Sequence, residues 1–215
     1  MDTTNLYPTI LFLGSLSLIP FLIVISTSFL KISLVLLVVR NAMGIQQVPP
    51  NMAIYGIALA ITVFVMAPTI EQVNQLYETL DTNNTSIDGF IDNAKIISNP
   101  FKQFMLSQVN PDMQTLFLDS ARSLWPVELY QGITPDNYLI LLPSFVISEL
   151  QSGFKIGFLI YIPFIIIDLI VSNILLALGM QMVSPMTISL PLKMLLFVLV
   201  DGWGRLLQSL ALSYS

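Results

Sequence analysis

The chain has 215 residues, of which 55% are apolar and only 10% are charged, against about 25% charged residues in ordinary soluble proteins. With a mean hydropathy of +0.81 and only eight basic and 13 acidic residues, the sequence excludes a disordered chain, a fibrous repeat and an ordinary soluble domain, and it predicts a membrane protein. The absence of cysteine and histidine excludes disulfides and removes the commonest general base and metal ligand.

The charges are unevenly distributed along the chain. Nine acidic and three basic residues lie between Glu71 and Asp136, which gives this stretch a net charge of −6. The remaining residues include four acidic and five basic ones, a net charge of +1. An acidic, water-exposed segment therefore separates two nearly neutral apolar blocks. Because there is no basic stripe, nothing indicates binding to nucleic acid.

The first block, residues 1–70, is predicted to form an apolar helical hairpin. Residues 11–39 are long enough to span a hydrocarbon core of ~30 Å, which needs about 20 helical residues, although Pro20 should kink or divide them. The stretch from Arg40 to Gly44 ends this arm. A turn that contains two consecutive prolines then leads into a second arm from Met52.

Residues 71–137 are predicted to form a small, mostly α-helical extramembrane segment. Asn83 to Ser86 has loop composition, and Pro100, Pro111 and Pro135 are predicted to divide the remainder into short helices. Apolar residues at roughly helical spacing supply its buried faces: Phe101, Phe104, Met105, Leu116, Phe117, Leu118, Leu124 and Trp125.

Residues 138–215 are predicted to form a second apolar hairpin. A polar break from Glu149 to Lys155 precedes a long span, residues 154–178, and residues 179–191 form a turn rich in methionine and proline. A last apolar run continues into an amphipathic C-terminal stretch. We therefore expect an all-α membrane protein with two long apolar hairpins separated by a small acidic extramembrane segment.

The distribution of basic residues predicts the topology. No lysine or arginine precedes Lys31, so the positively charged start of a cleavable signal is missing and the first span should be retained. Lys31 and Arg40 lie towards the first hairpin turn, which favours cytoplasmic turns under the positive-inside rule. The N-terminus, residues 71–137 and the C-terminus would then lie outside.

Asp168 lies in the middle of an apolar span, where a lone carboxylate costs several kcal/mol. A structural ion pair is the favoured interpretation, ahead of a functional site. At ~1.5 Å per helical residue, Asp168 and Asp201 lie ~24 and ~26 Å from a second hairpin tip near Ser184, and Lys31 lies ~22 Å from a first hairpin tip near Gln46. If the hairpins stand side by side, Lys31 should meet both carboxylates, and Arg205 can pair with Asp201 along the helix.

Three smaller features remain, two of which allow two interpretations each. Lys193 is nearer to its tip than Asp168 and is expected to snorkel. Gly153 and Gly157 form a small-xxx-small pattern, which serves close helix packing or marks only a helix start. The turn holds three methionines, which composition alone favours as core filler, with a flexible apolar constriction as the alternative: Met180, Met182 and Met186.

No catalytic constellation is present in the sequence. There is no Ser–His pair, no cluster of metal ligands and no glycine-rich phosphate loop. We therefore expect no enzyme activity, no cofactor and no metal. A self-contained ion or solute transporter that uses Asp168 and Lys31 is the alternative, and an intramembrane hydrolase is disfavoured by the missing histidine.

Both apolar blocks resemble the type III secretion export-gate family, which includes flagellar FliP and the virulence proteins SctR and SpaP. The resemblance is carried by residues 28–51 in the first block and by residues 143–158, 163–180 and 190–203 in the second. The short acidic middle segment is most similar to the virulence branch of injectisomes, and to its invasion-type members in particular.

The resemblance implies a core gate subunit in the bacterial inner membrane that passes unfolded virulence proteins. It implies five copies of this chain, two small export-gate membrane subunits, and larger export-gate and switch proteins as neighbours, besides membrane lipid. Its hairpins would stack into a cone raised towards the periplasm. Methionines at the second turn would project into the pore as a gasket, from which Gln181 departs because the family carries methionine there.

Overall fold

The structure, a computed structural model, describes residues 14, 17, 20–45, 48–78 and 87–215, with side chains from residue 92 onward in the last range. The N-terminus that was predicted to be retained, the predicted first hairpin tip near Gln46 and the loop predicted from Asn83 to Ser86 lie outside the described residues.

The described part of the chain is helical and contains no strand, which confirms the predicted all-α class. Its helices, in chain order, are α1 (Pro20–Ser26), α2 (Phe29–Ala42), α3 (Asn51–Glu78), α4 (Ile87–Gln108), α5 (Pro111–Leu124), α6 (Val127–Tyr130), α7 (Tyr138–Ala177), α8 (Pro185–Leu199) and α9 (Gly202–Leu212). A break at Thr27 and Ser28 separates α1 from α2, although the only kink predicted for this arm was at Pro20.

Two of the described helices are each long and apolar enough to cross a membrane, namely α3 with 28 residues and α7 with 40. The bent pairs α1–α2 and α8–α9 would add two spans if each pair counts as one. At ~1.5 Å per residue α7 is about 60 Å long, twice the thickness of a hydrocarbon core. Most of the apolar surface of α3 and α7 is exposed in the single chain, so lipid or other subunits must cover it.

Two predictions for the second apolar block were wrong. The polar stretch from Glu149 to Lys155 does not interrupt the helix, because α7 runs through it from Tyr138 to Ala177. The turn after α7 is also shorter than residues 179–191, because Pro185 occupies the first turn of α8 and Pro191 lies inside that helix. Proline is tolerated in the first turn of a helix, where its missing N–H would have no partner.

The chain divides into two compact units. The first unit comprises Met1–Leu30 and Thr69–Val146, and the second comprises Lys31–Pro68 and Ile147–Ser215. The helices α2, α3 and α7 each contribute residues to both units.

The first unit has a small core in which Met105, Leu141 and Phe145 are buried. Phe104 packs edge-on against Phe145, with 6.0 Å between ring centroids. Asn110 caps α5 by accepting a hydrogen bond of 2.9 Å from a backbone N–H in its first turn. Short helices from the acidic segment therefore pack against the start of α7.

The first unit also contains an ion pair between Lys102 and Asp136. The Lys102 ammonium donates a hydrogen bond of 2.6 Å to Asp136, and the Tyr138 hydroxyl donates to the Ser98 carbonyl at 3.1 Å. The hydrogen bond from Lys102 holds the pKa of the exposed Asp136 carboxyl at about 2, below its ordinary 3.8. These contacts tie α4 to the residues that lead into α7.

The core of the second unit is built on α2. Four of its residues are fully buried at helical spacing i, i+3, i+4 and i+7, namely Ile32, Val35, Leu36 and Val39. This spacing is that of a single apolar stripe along a helix. The stripe makes α2 the central helix of the unit that holds the candidate site.

Candidate functional site

The glycine pair of α7 lies against α2. A Cβ atom at Gly157 would lie 2.9 Å from Cγ1 of Val38, and one at Gly153 would lie 3.0 Å from Cδ2 of Leu34 and 3.6 Å from the Cα of Lys31. Since real Cβ atoms avoid such distances, the two helices approach this closely only because both positions are glycine. The small-xxx-small pattern thus serves helix packing within the chain.

The close approach of α2 and α7 buries a charged cluster. Lys31 Nζ lies 3.2 Å from Glu149 Oε1, and the two side chains are only 4% and 2% exposed. Tyr214, just after α9, donates a hydrogen bond from its hydroxyl group to Glu149. The centroid of its ring lies 3.6 Å from Lys31 Nζ. This Lys31–Glu149–Tyr214 cluster joins α2, α7 and the C-terminal residues by an ion pair, a charge-assisted hydrogen bond and a cation–π contact.

The pairing expected for Lys31 was therefore wrong, because its partner is Glu149 and not Asp168 or Asp201. Glu149 was left out of the expected pairing because it was interpreted as part of a polar break that precedes the second span. Since α7 is continuous, Glu149 lies one turn before Gly153, at the level where α2 comes closest.

Asp168 is paired with Lys193. Nζ of Lys193 lies 2.5 Å from Asp168 Oδ2 and also donates a hydrogen bond of 3.3 Å to the carbonyl oxygen of Ala42. Ala42 ends α2, so the ammonium sits where the partial negative charge of a helix C-terminus favours a cation. Lys193 is buried rather than snorkelling, whereas the Asp168 side chain stays 46% exposed.

Asp201 and Arg205 were expected to join the same network, but within the part of the chain that the structure describes neither forms an ion pair. Asp201 lies at the 62° bend between α8 and α9 and has a left-handed φ of +52°. Gly202 follows it, where a Cβ atom would lie 2.5 Å from the ring of Phe197. The stretch shapes the bend and leaves both charged side chains exposed.

The methionine turn begins with a well-defined helix end. Gly179 has a φ of +72°, its N–H donates to the Leu176 carbonyl at 3.0 Å, and the Met180 N–H donates to the Leu175 carbonyl at 2.9 Å. These two bonds form the Schellman motif that ends many helices. Backbone hydrogen bonds and the left-handed Gly179 thus define where α7 ends and the turn begins.

Met180 and Met182 of the turn, and Met186 in the first turn of α8, expose much of their side chains in the single chain. Met182 is fully exposed, and Met180 and Met186 are 43% and 51% exposed. Gln181 between them is exposed as well. In the single chain these exposed surfaces are available to a neighbouring molecule.

Two residues of the charged cluster were missed in the sequence. Glu149 carries a signal that could have identified it, since it is one of only two acidic residues inside α7 and a buried carboxylate requires a partner. Tyr214 carries no such signal, because its contact depends on how the bend at Asp201 directs α9.

Comparison with known proteins identifies the family. The FliP family profile matches residues 12–210. Harpin secretion protein HrcR of Erwinia amylovora is 57% identical over 204 residues, which are 95% of this chain and 94% of that protein. Yop proteins translocation protein R of Yersinia pestis is 47% identical, over 99% of this chain and 97% of its own length. Virulence protein YscR of Salmonella typhimurium is 45% identical over 96% and 94%, respectively. The chain therefore belongs to the FliP family.

Proposed function

We propose that this protein is a ring-forming core subunit of a type III secretion export gate, which passes unfolded virulence proteins across the bacterial inner membrane. The relatives are named for harpin secretion, Yop translocation and virulence, which supports a role in protein export. A self-contained transporter has no such support. The Lys31–Asp168 site that it would use is also absent, since each of these residues has another partner.

The observation that carries the gate proposal in this chain is the exposure of the methionine turn. A pore for unfolded chains has to deform around side chains of every size, yet exclude ions when it is empty. Unbranched thioether chains are flexible and apolar and meet both requirements. Repeated around a ring, Met180 and Met182 would form an apolar collar that closes by dewetting, with Gln181 as a polar position between them.

Five copies of the chain, together with the two small export-gate membrane subunits, would cover the apolar surface of α3 and α7. Large side chains along α7, among them Phe154, Phe158, Leu169 and Ile174, are more than half exposed in the single chain. Contacts between subunits can bury such a surface as well as lipid can. The ~60 Å length of α7 also suits a hairpin raised partly out of the bilayer.

In this proposal the protein carries out no chemistry and holds no cofactor, and the energy for export comes from elsewhere in the apparatus. Larger export-gate and switch proteins are its neighbours, and unfolded substrates pass through the gate. Both hairpin turns face the cytoplasm, while the acidic segment and the C-terminus lie on the periplasmic side.

The gate proposal is tested by replacing Met180 and Met182 together with alanine. The wider collar should leak ions or small solutes while the ring still assembles, and replacement with aspartate should leak more because a ring of charges stays hydrated. Conductance or dye uptake, measured beside a pull-down for ring formation, separates leakage from loss of assembly. Failed assembly without leakage would instead identify both methionines as structural.

A complementary experiment uses Gln181→Met. If Gln181 faces the lumen, the added methionine should tighten the seal or slow export. Unchanged conductance and unchanged secretion would show that residue 181 does not line the pore.

A further inference from the structure

An open groove of about 420 Å³ lies in the second unit, between α7 and α9, just after the 62° bend that separates α8 from α9. Its walls are almost entirely apolar and include Ile156, Leu159, Ile160, Phe197, Leu206 and Leu210. Water in such a groove has few polar partners, so an apolar occupant is favoured there.

The polar side chains at this groove belong to α9. Arg205 and Ser209 lie one turn apart and both line it. Arg205 is exposed, and among the residues that the structure describes no carboxylate lies within ion-pair distance of it. Asp201 precedes it by one turn but makes no such contact. The guanidinium is therefore free to bind an anion.

The charge of the whole second unit also favours an anionic occupant. The unit contains five basic and three acidic residues, a net charge of +2, and two of the acidic residues already hold buried lysines. Lys155 is exposed and lies one turn before Leu159 on the same face of α7. A second cation thus stands on the helix face that borders the groove.

We propose that this groove binds one anionic phospholipid per subunit, with the lipid phosphate at Arg205 and an acyl chain along the wall formed by α7. Guanidinium groups bind phosphate through paired charge-assisted hydrogen bonds, and the Ser209 hydroxyl can donate a third. An acyl chain suits a wall that contains no polar side chain on α7. Both α7 and the α8–α9 pair are apolar enough to lie in a membrane.

Native mass spectrometry of the detergent-extracted assembly, with added phosphatidylglycerol or phosphatidylcholine, tests the proposal. One phosphatidylglycerol per subunit should bind, and phosphatidylcholine should bind more weakly. Arg205→Gln should weaken binding of phosphatidylglycerol about 10- to 100-fold, as expected for lost hydrogen bonds to a charged group. Lys95→Gln is the matched control, because it removes one exposed cation from the first unit and should leave binding unchanged.

A second variant, Ser209→Trp, fills the groove without changing charge, and it should also reduce binding of phosphatidylglycerol. Equal affinity for the two lipids, or equal effects of Arg205→Gln and Lys95→Gln, would overturn the proposal. So would an Arg205→Gln protein that keeps its lipid but loses subunits from the assembly, since the groove would then belong to a protein contact.

Discussion

Replacing Lys31 with alanine should strongly destabilise the second unit. The change leaves Glu149 charged and only 2% exposed, and it also removes the cation that lies 3.6 Å from the Tyr214 ring centroid. Breaking one side of a buried ion pair costs about 3–5 kcal/mol, because the remaining charge stays buried without compensation. At about 2–4 °C per kcal/mol for a chain of this size, the unfolding midpoint should fall by roughly 6–20 °C.

The fluorescence of the two tryptophans provides the assay. Trp203 lies in the second unit and Trp125 in the first, so a Trp125→Phe background restricts the signal to the second unit. Lys155→Ala is the matched control, because Lys155 lies on α7 but is exposed, and its loss should shift the midpoint little.

The cluster makes two further variants informative. Tyr214→Phe keeps the ring over Lys31 but loses the hydrogen bond to Glu149, which should cost about 1.5–3 kcal/mol. The double variant Lys31→Met, Glu149→Leu leaves no buried charge behind and should be closer to wild type than Lys31→Ala. The reasoning is refuted if Lys31→Ala unfolds at the same temperature as Lys155→Ala.

Two other predictions concern packing and pH. Gly157→Ala should lower the free energy of unfolding, measured with denaturant, by about 1–3 kcal/mol, because its Cβ atom would lie 2.9 Å from Val38. The control Gly56→Ala lies at an exposed helical site where a Cβ atom meets nothing within 4 Å, so it should be neutral or stabilising by about 0.5–1 kcal/mol. Equal effects of the two variants would contradict the packing argument. The lowered pKa of Asp136 means that its stabilising contribution is complete above its ordinary pKa of 3.8 and is lost as the pH falls towards about 2. The fluorescence of the first unit should therefore report lower stability over this interval in the wild type but a weaker pH dependence in Lys102→Ala, and identical profiles would exclude the ion pair as the cause.

The helical membrane class could be predicted from the sequence because it depends on composition and on the length of apolar runs. That Asp168 needs a partner could also be predicted from the sequence, since a lone charge within an apolar span is costly. The methionine turn was located by its glycine and prolines, although Pro191 was assigned to the turn and belongs to α8.

The partners themselves could not be predicted, because they depend on the axial register of helices far apart in sequence. Glu149 was interpreted as part of a polar break, since polar residues within an apolar run resemble a loop. In the continuous helix, Lys31 and Tyr214 compensate the charge of Glu149, and the neighbouring glycines allow α2 to approach. These contacts join residues that are far apart in the sequence, and a single sequence shows only patterns among neighbouring residues.

The central claim, that the methionine turn surrounds the export path, is tested most directly by crosslinking to a substrate arrested in transit. The chain contains no cysteine, so Met182→Cys introduces a single thiol at a fully exposed position of the turn. Leu124→Cys, exposed in the first unit, serves as the control. A secretion substrate that carries one cysteine and is stalled in the assembled apparatus should form a disulfide with residue 182 and not with residue 124. Crosslinking at 124 alone, or at neither position while the substrate is demonstrably stalled, would contradict a collar formed by this turn.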